Sequence, residues 1–173
     1  MSNTICTKTP NAKVIGTRQS DVSYTDRYAV RVVTVDATGH VALIYAKKGN
    51  YHKLPGGGIE VDEDHGEAAA REVREETGAV VSIRRSVGCV ASTEEFRNDL
   101  HQISYVYVAD VVDASGQPEL TEEELVDGLT HEWILARQAL DKMSAVEPTS
   151  DLGRFIKERD VYLLGEAIEK LQI

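Results

Sequence analysis

The chain has 173 residues, of which 42% are hydrophobic and 28% charged, proportions typical of a globular protein. This length is close to that of one domain and is enough to bury a substantial core. The formal net charge of −10 at pH 7 argues against duplex nucleic acid as a partner, because a duplex-binding surface needs a basic face. No apolar run is long enough to cross a bilayer, so we also expect no membrane partner.

The beginning of the chain and its cysteines indicate a location. Residues 1–10 lack the apolar stretch of a secretory signal. Cys6 and Cys89 are too few for a disulfide framework and have no paired spacing for zinc, so both are expected to be reduced thiols. The sequence therefore predicts a cytoplasmic protein.

Polar residues dominate the first part of the chain, and residues 1–26 are expected to form an N-terminal arm. Within it, Val14 and Ile15 suggest a short strand. A single domain is expected to follow over residues 27–173. It opens with two β-branched and apolar runs, residues 28–36 and 41–47, joined by a turn, which predicts a β-hairpin.

A glycine-rich loop comes next, at residues 54–58. Pro55 has no backbone N–H to donate, and Gly56, Gly57 and Gly58 admit backbone angles closed to other residues, so neither regular strand nor helix is expected.

The segment after this loop has the start, stop and periodicity of a helix. Asp62 or Asp64 can cap its beginning, and Gly78 is placed to give it a left-handed end. An apolar stripe predicts the face that packs on the core. The residues of this stripe are Ala69, Ala70, Val73 and Thr77.

Three glutamates on this helix predict a cation site. Glu72, Glu75 and Glu76 fall within an arc of roughly 100° around the helix axis. Like charges at this spacing repel one another, and oxygen ligands of this kind suit a hard cation such as Mg²⁺. The alternative is a solvated face on which Arg71 forms ordinary pairs with Glu67 or Glu75.

The remainder of the chain alternates between strand and helix patterns. Gly116, Pro118 and residues 121–124 are expected to form a loop. The predicted strands cover residues 80–90, 103–113 and 131–135, and the predicted helices cover residues 137–143 and 151–171. This order fits an α/β layer architecture.

Residues 57–79 resemble the Nudix box almost position for position. The matching residues are Gly57, Glu63, Arg71, Glu72, Val73, Glu75, Glu76, Gly78 and Ala79. Asp62 stands where the family often has glycine, and Ala79 is smaller than the usual aliphatic residue. Similarity to the family extends over about residues 28–140. It implies a Nudix-type α/β/α sandwich with a mixed central sheet.

The resemblance also implies a site. Mg²⁺, or Mn²⁺ in its place, would be held by Gly57 through its carbonyl and by Glu72, Glu75 and Glu76. Glu72 or Glu75 is expected to act as the general base, with residues 122–124 as an alternative on a later loop. Arg71 and Glu63 are expected to support these carboxylates.

Substrate contacts are expected on the strand and loop beside the box. Tyr28 and Arg31 lie on the first main strand, and Lys53 precedes the glycine loop. Each could bind a base or a phosphate of the substrate, although such residues are also common as ordinary strand or rim residues.

The resemblance predicts a pyrophosphohydrolase that cleaves a nucleoside diphosphate linked to another group. The first expectation is a nucleoside triphosphate, or an oxidised form of one, converted to a monophosphate and pyrophosphate. ADP-ribose, dinucleotides and non-nucleotide diphosphates are alternatives, although the absence of proline between Pro55 and Pro118 weighs against the ADP-ribose type. A Nudix module that senses nucleotides without turnover is a further alternative. The long terminal segment could serve a homodimer.

Overall fold

The computed structural model describes residues 8–173, so Cys6 and the first part of the predicted arm lie outside the described residues. The strands are β1 (Lys13–Ile15), β2 (Thr25–Val35), β3 (His40–Ala46), β4 (Tyr51–Lys53), β5 (Val80–Ile83), β6 (Ala91–Arg97), β7 (Leu100–Asp113) and β8 (Leu129–Leu135). The helices are α1 (His65–Thr77), α2 (Glu122–Asp127), α3 (Ala136–Ala145) and α4 (Asp151–Leu171). No helix within residues 8–173 has the length and hydropathy needed to cross a membrane.

A mixed sheet forms the middle layer. Its strand order is β1-β6-β7-β2-β3-β4, with β5 also paired to β7 and β8 to β3. The β2–β7 and β1–β6 pairs are parallel and the others antiparallel. Helix α1 packs on one face, and α3 and α4 pack on the other. The α/β/α sandwich with a mixed central sheet is therefore confirmed.

Alternation along β2 assigns its side chains to the two faces of the sheet. Val30 and Val32 belong to the core cluster under α1, whereas Val33 and Val35 belong to the cluster under α3 and α4. Arg31, between the first two, therefore points toward α4.

Strands β2 and β3 form the predicted hairpin only at its closed end, where they pair at one register position. Beyond that position β3 turns away to pair with β4 and β8. The glycine loop occupies the split, because Val30 N donates to Gly57 O at 2.9 Å and Val32 N donates to Pro55 O at 2.9 Å. Backbone hydrogen bonds thus fix the loop at the edge of β2.

One predicted strand is wrong. Residues 80–90 do not form a single strand, because β5 ends at Ile83, a turn follows in which Gly88 has φ +70°, and β6 begins at Ala91. Strand β6 was missed because it is largely polar; Thr93 and Glu95 are buried in it and disguise the expected alternation of apolar and polar residues.

The predicted loop at residues 121–124 is also wrong in part, because α2 begins there. The Thr121 side chain accepts from Glu124 N, and the Glu124 carboxylate accepts from Thr121 N at 2.8 Å. This capping box pairs two backbone N–H groups that the start of a helix otherwise leaves without partners.

The predicted arm contains a strand that joins the sheet. Strand β1 lies parallel to β6, with Lys13 opposite Thr93 and Ile15 opposite Glu95. Ile15 is buried. The boundary at residue 26 stays a prediction.

Candidate metal and diphosphate site

Helix α1 has the ends that the sequence predicts. Asp64, rather than Asp62, is the N-cap: its carboxylate accepts from Glu67 N at 2.8 Å, and Glu67 completes a capping box. Gly78 ends the helix in the left-handed conformation, with φ +78°. The apolar stripe differs by one residue, since Ala68 is buried and Ala70 is only half-buried. These caps fix the two ends of α1 and therefore the positions of its glutamates along the helix.

Arg71 is the centre of a network of carboxylates. Its Nε and Nη2 donate to the two carboxylate oxygens of Glu63 at 2.7 and 2.9 Å. Its Nη1 donates to Glu72 Oε1 at 2.9 Å and to Glu75 Oε2 at 3.3 Å, and Nη2 also donates to Gly58 O at 3.0 Å. The hydrogen bond to Glu63 raises the pKa of Arg71 above its ordinary value. One guanidinium therefore aligns Glu72 with Glu75 and joins both to the glycine loop.

Glu76 occupies a different environment. Its side chain is 1% exposed, against 12% for Glu72 and 34% for Glu75. Gly56 N donates to Glu76 Oε2 at 3.0 Å, and Lys53 Nζ donates to Oε1. Burial raises the pKa of Glu76, and Lys53 opposes that rise. Glu76 is therefore the least accessible of the three predicted carboxylate ligands.

Gly57 leaves room for the Glu72 carboxylate. A Cβ at this position would lie 2.3 Å from Glu72 Oε1, so any side chain here would displace the Glu72 carboxylate. The Gly57 carbonyl, the expected metal ligand, already accepts from Val30 N. A carbonyl oxygen has a second lone pair, so its role as a ligand stays a prediction.

The donor set fits a magnesium ion that keeps much of its water. Within residues 8–173, no three His, Cys, Asp or Glu side chains converge to form a complete cage for a metal. Mg²⁺ does not require one, because it usually binds one or two carboxylates, several waters and substrate phosphates. Glu72 and Glu75 share the Nη1 donor of Arg71. Because residue 57 is a glycine with no side chain, the Glu72 carboxylate occupies the space beside it.

The three expected substrate residues lie in different places. Tyr28 is 41% exposed on β2. Arg31 is buried on the opposite face of that strand, and burial, with the nearby charge of Arg159, lowers its pKa to about 10. Lys53 pairs with Glu76. Lys53 therefore lies at the box and Tyr28 at the surface, whereas Arg31 lies on the face of the sheet that α4 covers.

The alternative bases lie on α2. Glu122 and Glu123 are exposed, and Glu124 is used in the capping box. The segment before α2 runs against the end of α1, where Glu119 N donates to Glu75 O at 2.7 Å. This backbone contact links the two segments, whereas no side-chain hydrogen bond within residues 8–173 joins residues 122–124 to the box.

Sequence reasoning missed Arg27. Its guanidinium lies 3.2 Å from the position that a Cβ on Gly58 would take, beside the loop carbonyl that Arg71 binds. The available signal was the period of two along the strand, which places Arg27 on the same face as Arg31.

The protein is an α/β domain in which an acidic helix packs on a mixed sheet. Arg71 aligns two carboxylates of this helix, which form a candidate cation site. Residues 25–151 match the NUDIX domain, and the chain belongs to that family.

Curated relatives match over part of their length. Diphosphoinositol polyphosphate phosphohydrolase 2 of Rattus norvegicus is 34% identical over 96 residues, covering 55% of this chain and 49% of the relative. The ADP-ribose pyrophosphatase of Methanocaldococcus jannaschii is 33% identical over 88 residues, covering 49% and 52%. The matched region thus spans about half the length of these relatives.

Solved structures share the fold. A NUDIX family hydrolase from Clostridium perfringens superposes with a TM-score of 0.56 at 21% identity, covering 85% of this chain and 99% of that one. The two proteins therefore share the arrangement of the sheet and helices.

Proposed function

We propose that the protein is a Mg²⁺-dependent pyrophosphohydrolase, with Mn²⁺ able to replace Mg²⁺, that cleaves a nucleoside diphosphate linked to another group. The preferred substrate is a nucleoside triphosphate, including oxidised forms, which gives a monophosphate and pyrophosphate. The observation that carries this proposal is the alignment of Glu72 and Glu75 by Arg71 beside Gly57.

The residues divide the work of hydrolysis between them. Glu72 and Glu75 would hold the ion together with Glu76 and the Gly57 carbonyl. When bound, the ion offsets the negative charge of the phosphate oxygens. Glu75 is the more exposed of the two aligned carboxylates and is our first choice as the base that accepts a proton from the attacking water, with Glu72 as the second.

Neighbouring side chains orient these groups. Arg71 and Glu63 fix the carboxylates, because a forked guanidinium holds two acceptors at defined angles. Lys53 offsets the charge of Glu76 and would bind a phosphate of the substrate. Tyr28 would contact the exposed part of the substrate. Arg31, which is buried on the opposite face of β2, would contribute its positive charge to the site.

Two alternatives are supported by specific observations. The similarity to a diphosphoinositol polyphosphate phosphohydrolase favours a non-nucleotide diphosphate, and the similarity to an ADP-ribose pyrophosphatase favours ADP-ribose. A nucleotide-sensing module without turnover is disfavoured, because the box glutamates are all present.

The experiment that tests the proposal is a substrate panel. Purified protein is incubated with Mg²⁺ and with nucleoside triphosphates, oxidised triphosphates, ADP-ribose, dinucleotides and diphosphoinositol phosphates, and the products are separated by ion-exchange chromatography. We expect a monophosphate and pyrophosphate from a triphosphate. Glu75→Gln and Glu76→Gln should each lower kcat/KM by about 100-fold or more, as loss of an acid–base or ligand group does.

Glu169→Gln is the matched control, because Glu169 is exposed on α4. It should keep wild-type turnover. Turnover that survives both box substitutions would refute the site, and nucleotide binding without turnover of any compound would support the sensing module.

We also propose a cytoplasmic location, because two cysteines are too few for the disulfide framework of a secreted protein. A homodimer would be tested by light scattering coupled to gel filtration, where a mass near 19.0 kDa would contradict it.

A further inference from the structure

Four arginines gather on the face of the sheet that α4 covers. Arg27 and Arg31 lie on β2, Arg97 lies on β6, and Arg159 lies on α4. We call this group the arginine cluster. The register of the sheet explains part of it: Arg27 is opposite Gln102 of β7, and Gln102 is in turn opposite Glu95 of β6.

Two members of the cluster are buried with unsatisfied donors. Arg31 is 5% exposed and Arg159 is 3% exposed. Arg159 Nε donates to Asp160 Oδ1 at 2.6 Å, and Arg31 Nε lies 3.9 Å from the same oxygen. Among the described residues, the donors Arg31 Nε and Arg159 Nη2 have no hydrogen-bond partner, and neither has the acceptor Glu95 Oε2 beside Arg159. Two unpartnered donors against one unpartnered acceptor leave the cluster with capacity for an additional acceptor.

The carboxylates inside the cluster do not match its arginines one for one. Glu95 Oε1 accepts from Arg97 Nε at 3.0 Å, whereas Oε2 lies 3.9 Å from Arg159 Nη1, and Asp160 is the other carboxylate inside the cluster. The four guanidinium charges are offset only when two carboxylates of the box are counted, because Glu72 interacts electrostatically with Arg27 and Glu76 with Arg31. Half of the charge compensation of the cluster therefore comes from the box, which ties these arginines to the carboxylate site.

The cluster opens toward the box. The Arg97 side chain is 25% exposed, and Arg27 is exposed. Arg27 also approaches Gly58, whose carbonyl binds Arg71. An anion between Arg27 and Arg97 would thus lie next to the carboxylate site, with the buried arginines behind it.

We propose that Arg27 and Arg97, backed by Arg159 and Arg31, bind a phosphate group of the substrate that lies outside the hydrolysed linkage. The inference rests on the proposed function and narrows its substrate class to compounds with at least three phosphate groups. ADP-ribose and dinucleotides with only a diphosphate bridge would leave the cluster without its anion.

A purely structural role makes a different prediction. If the cluster only fastens α4 to the sheet, removing an arginine at the opening changes stability and leaves anion affinity unchanged. Arg27→Gln and Arg97→Gln are suitable variants because both side chains reach solvent. Arg154→Gln is the matched control: it removes one positive charge from the exposed side of α4, where Arg154 pairs with Asp151.

The first measurement is calorimetric titration with inorganic tripolyphosphate in EDTA, so that no divalent ion contributes. We expect Arg27→Gln and Arg97→Gln each to weaken the affinity by about tenfold, the loss of one charge-assisted contact, and Arg154→Gln to stay within about twofold of wild type. Equal affinities in all four proteins, or no binding by the wild type, would overturn the proposal. Thermal melts of each variant establish that it is folded.

The second measurement separates this inference from the proposed function. In Mg²⁺, the ratio of kcat/KM for a nucleoside triphosphate to that for ADP-ribose should fall by about tenfold in Arg97→Gln. An unchanged ratio, with both substrates still hydrolysed, would contradict the inference and leave the proposed function standing. Arginine-dependent tripolyphosphate binding without turnover of any compound would refute the proposed function and support the anion site.

Discussion

At the scale of single residues, the site depends on one guanidinium that serves several acceptors. Arg71 binds Glu63 through two donors and reaches Glu72 and Glu75 through a third. A lysine carries the same charge as a compact ammonium and cannot reproduce this fork. The arginine is therefore required for its geometry as well as for its charge.

Arg71→Lys should lower the free energy of unfolding by about 2 kcal/mol, because the carboxylates left behind are largely shielded from water. This figure is below that for a fully buried pair since the Arg71 side chain is 20% exposed. Urea denaturation measures the change. Arg84→Lys is the control, because Arg84 binds the half-exposed Asp110 and its replacement should cost less than about 1 kcal/mol. Equal losses in the two variants would contradict this account.

At the scale of elements, local signals made α1 predictable from the sequence. Its caps and the Glu72, Glu75 and Gly78 positions lie within one short segment, so neighbouring residues determine them. Strand β6 could not be found in this way. Glu95 is buried against Arg97 and near Arg159, and the second of these partners is distant in sequence.

Two glycines of α4 give a matched test of its packing. Gly165→Ala meets no atom within 4 Å and should stabilise the protein by about 0.5 to 1 kcal/mol through helix propensity. Gly153→Ala would place Cβ 2.8 Å from Pro148 Cβ and 3.0 Å from Tyr51 Cδ1. It should destabilise by about 1 to 3 kcal/mol. Thermal denaturation compares the two, and stabilisation by both substitutions would show that α4 is not tightly packed at Gly153.

At the scale of the whole molecule, the sequence predicted the layers of the fold but not the arginine cluster. The layers follow from the order of strands and helices. The cluster combines β2, β6 and α4, and it exists only because the sheet places β6 two strands from β2 while α4 crosses above them. Glu76 is a similar case, since its burial depends on Lys53 and on the glycine loop.

Stability should fall in mild acid. Burial lowers the pKa of His52, His65 and His131 below the ordinary value of 6.5, so the folded state favours their neutral forms. Their contribution is present above pH 6.5 and is lost as the pH falls through their lowered values. The hydrogen bond from Arg71 lowers the pKa of Glu63, which adds a loss of the same sign below its ordinary value of 4.5. The raised pKa of the buried Glu76 acts in the opposite direction, as one group against these four. Melting temperatures measured from pH 7.5 to 4 should therefore decrease, and an increase would contradict this reasoning.

The central claim is that the aligned carboxylates of α1 bind a divalent cation. Electron paramagnetic resonance of a Mn²⁺ titration tests it without a substrate, in the wild type and in Glu72→Gln/Glu75→Gln. We expect the wild type to bind Mn²⁺ and to release it when Mg²⁺ is added, and the folded double variant to bind at least about tenfold more weakly. Equal Mn²⁺ affinity in the two proteins would contradict the claim.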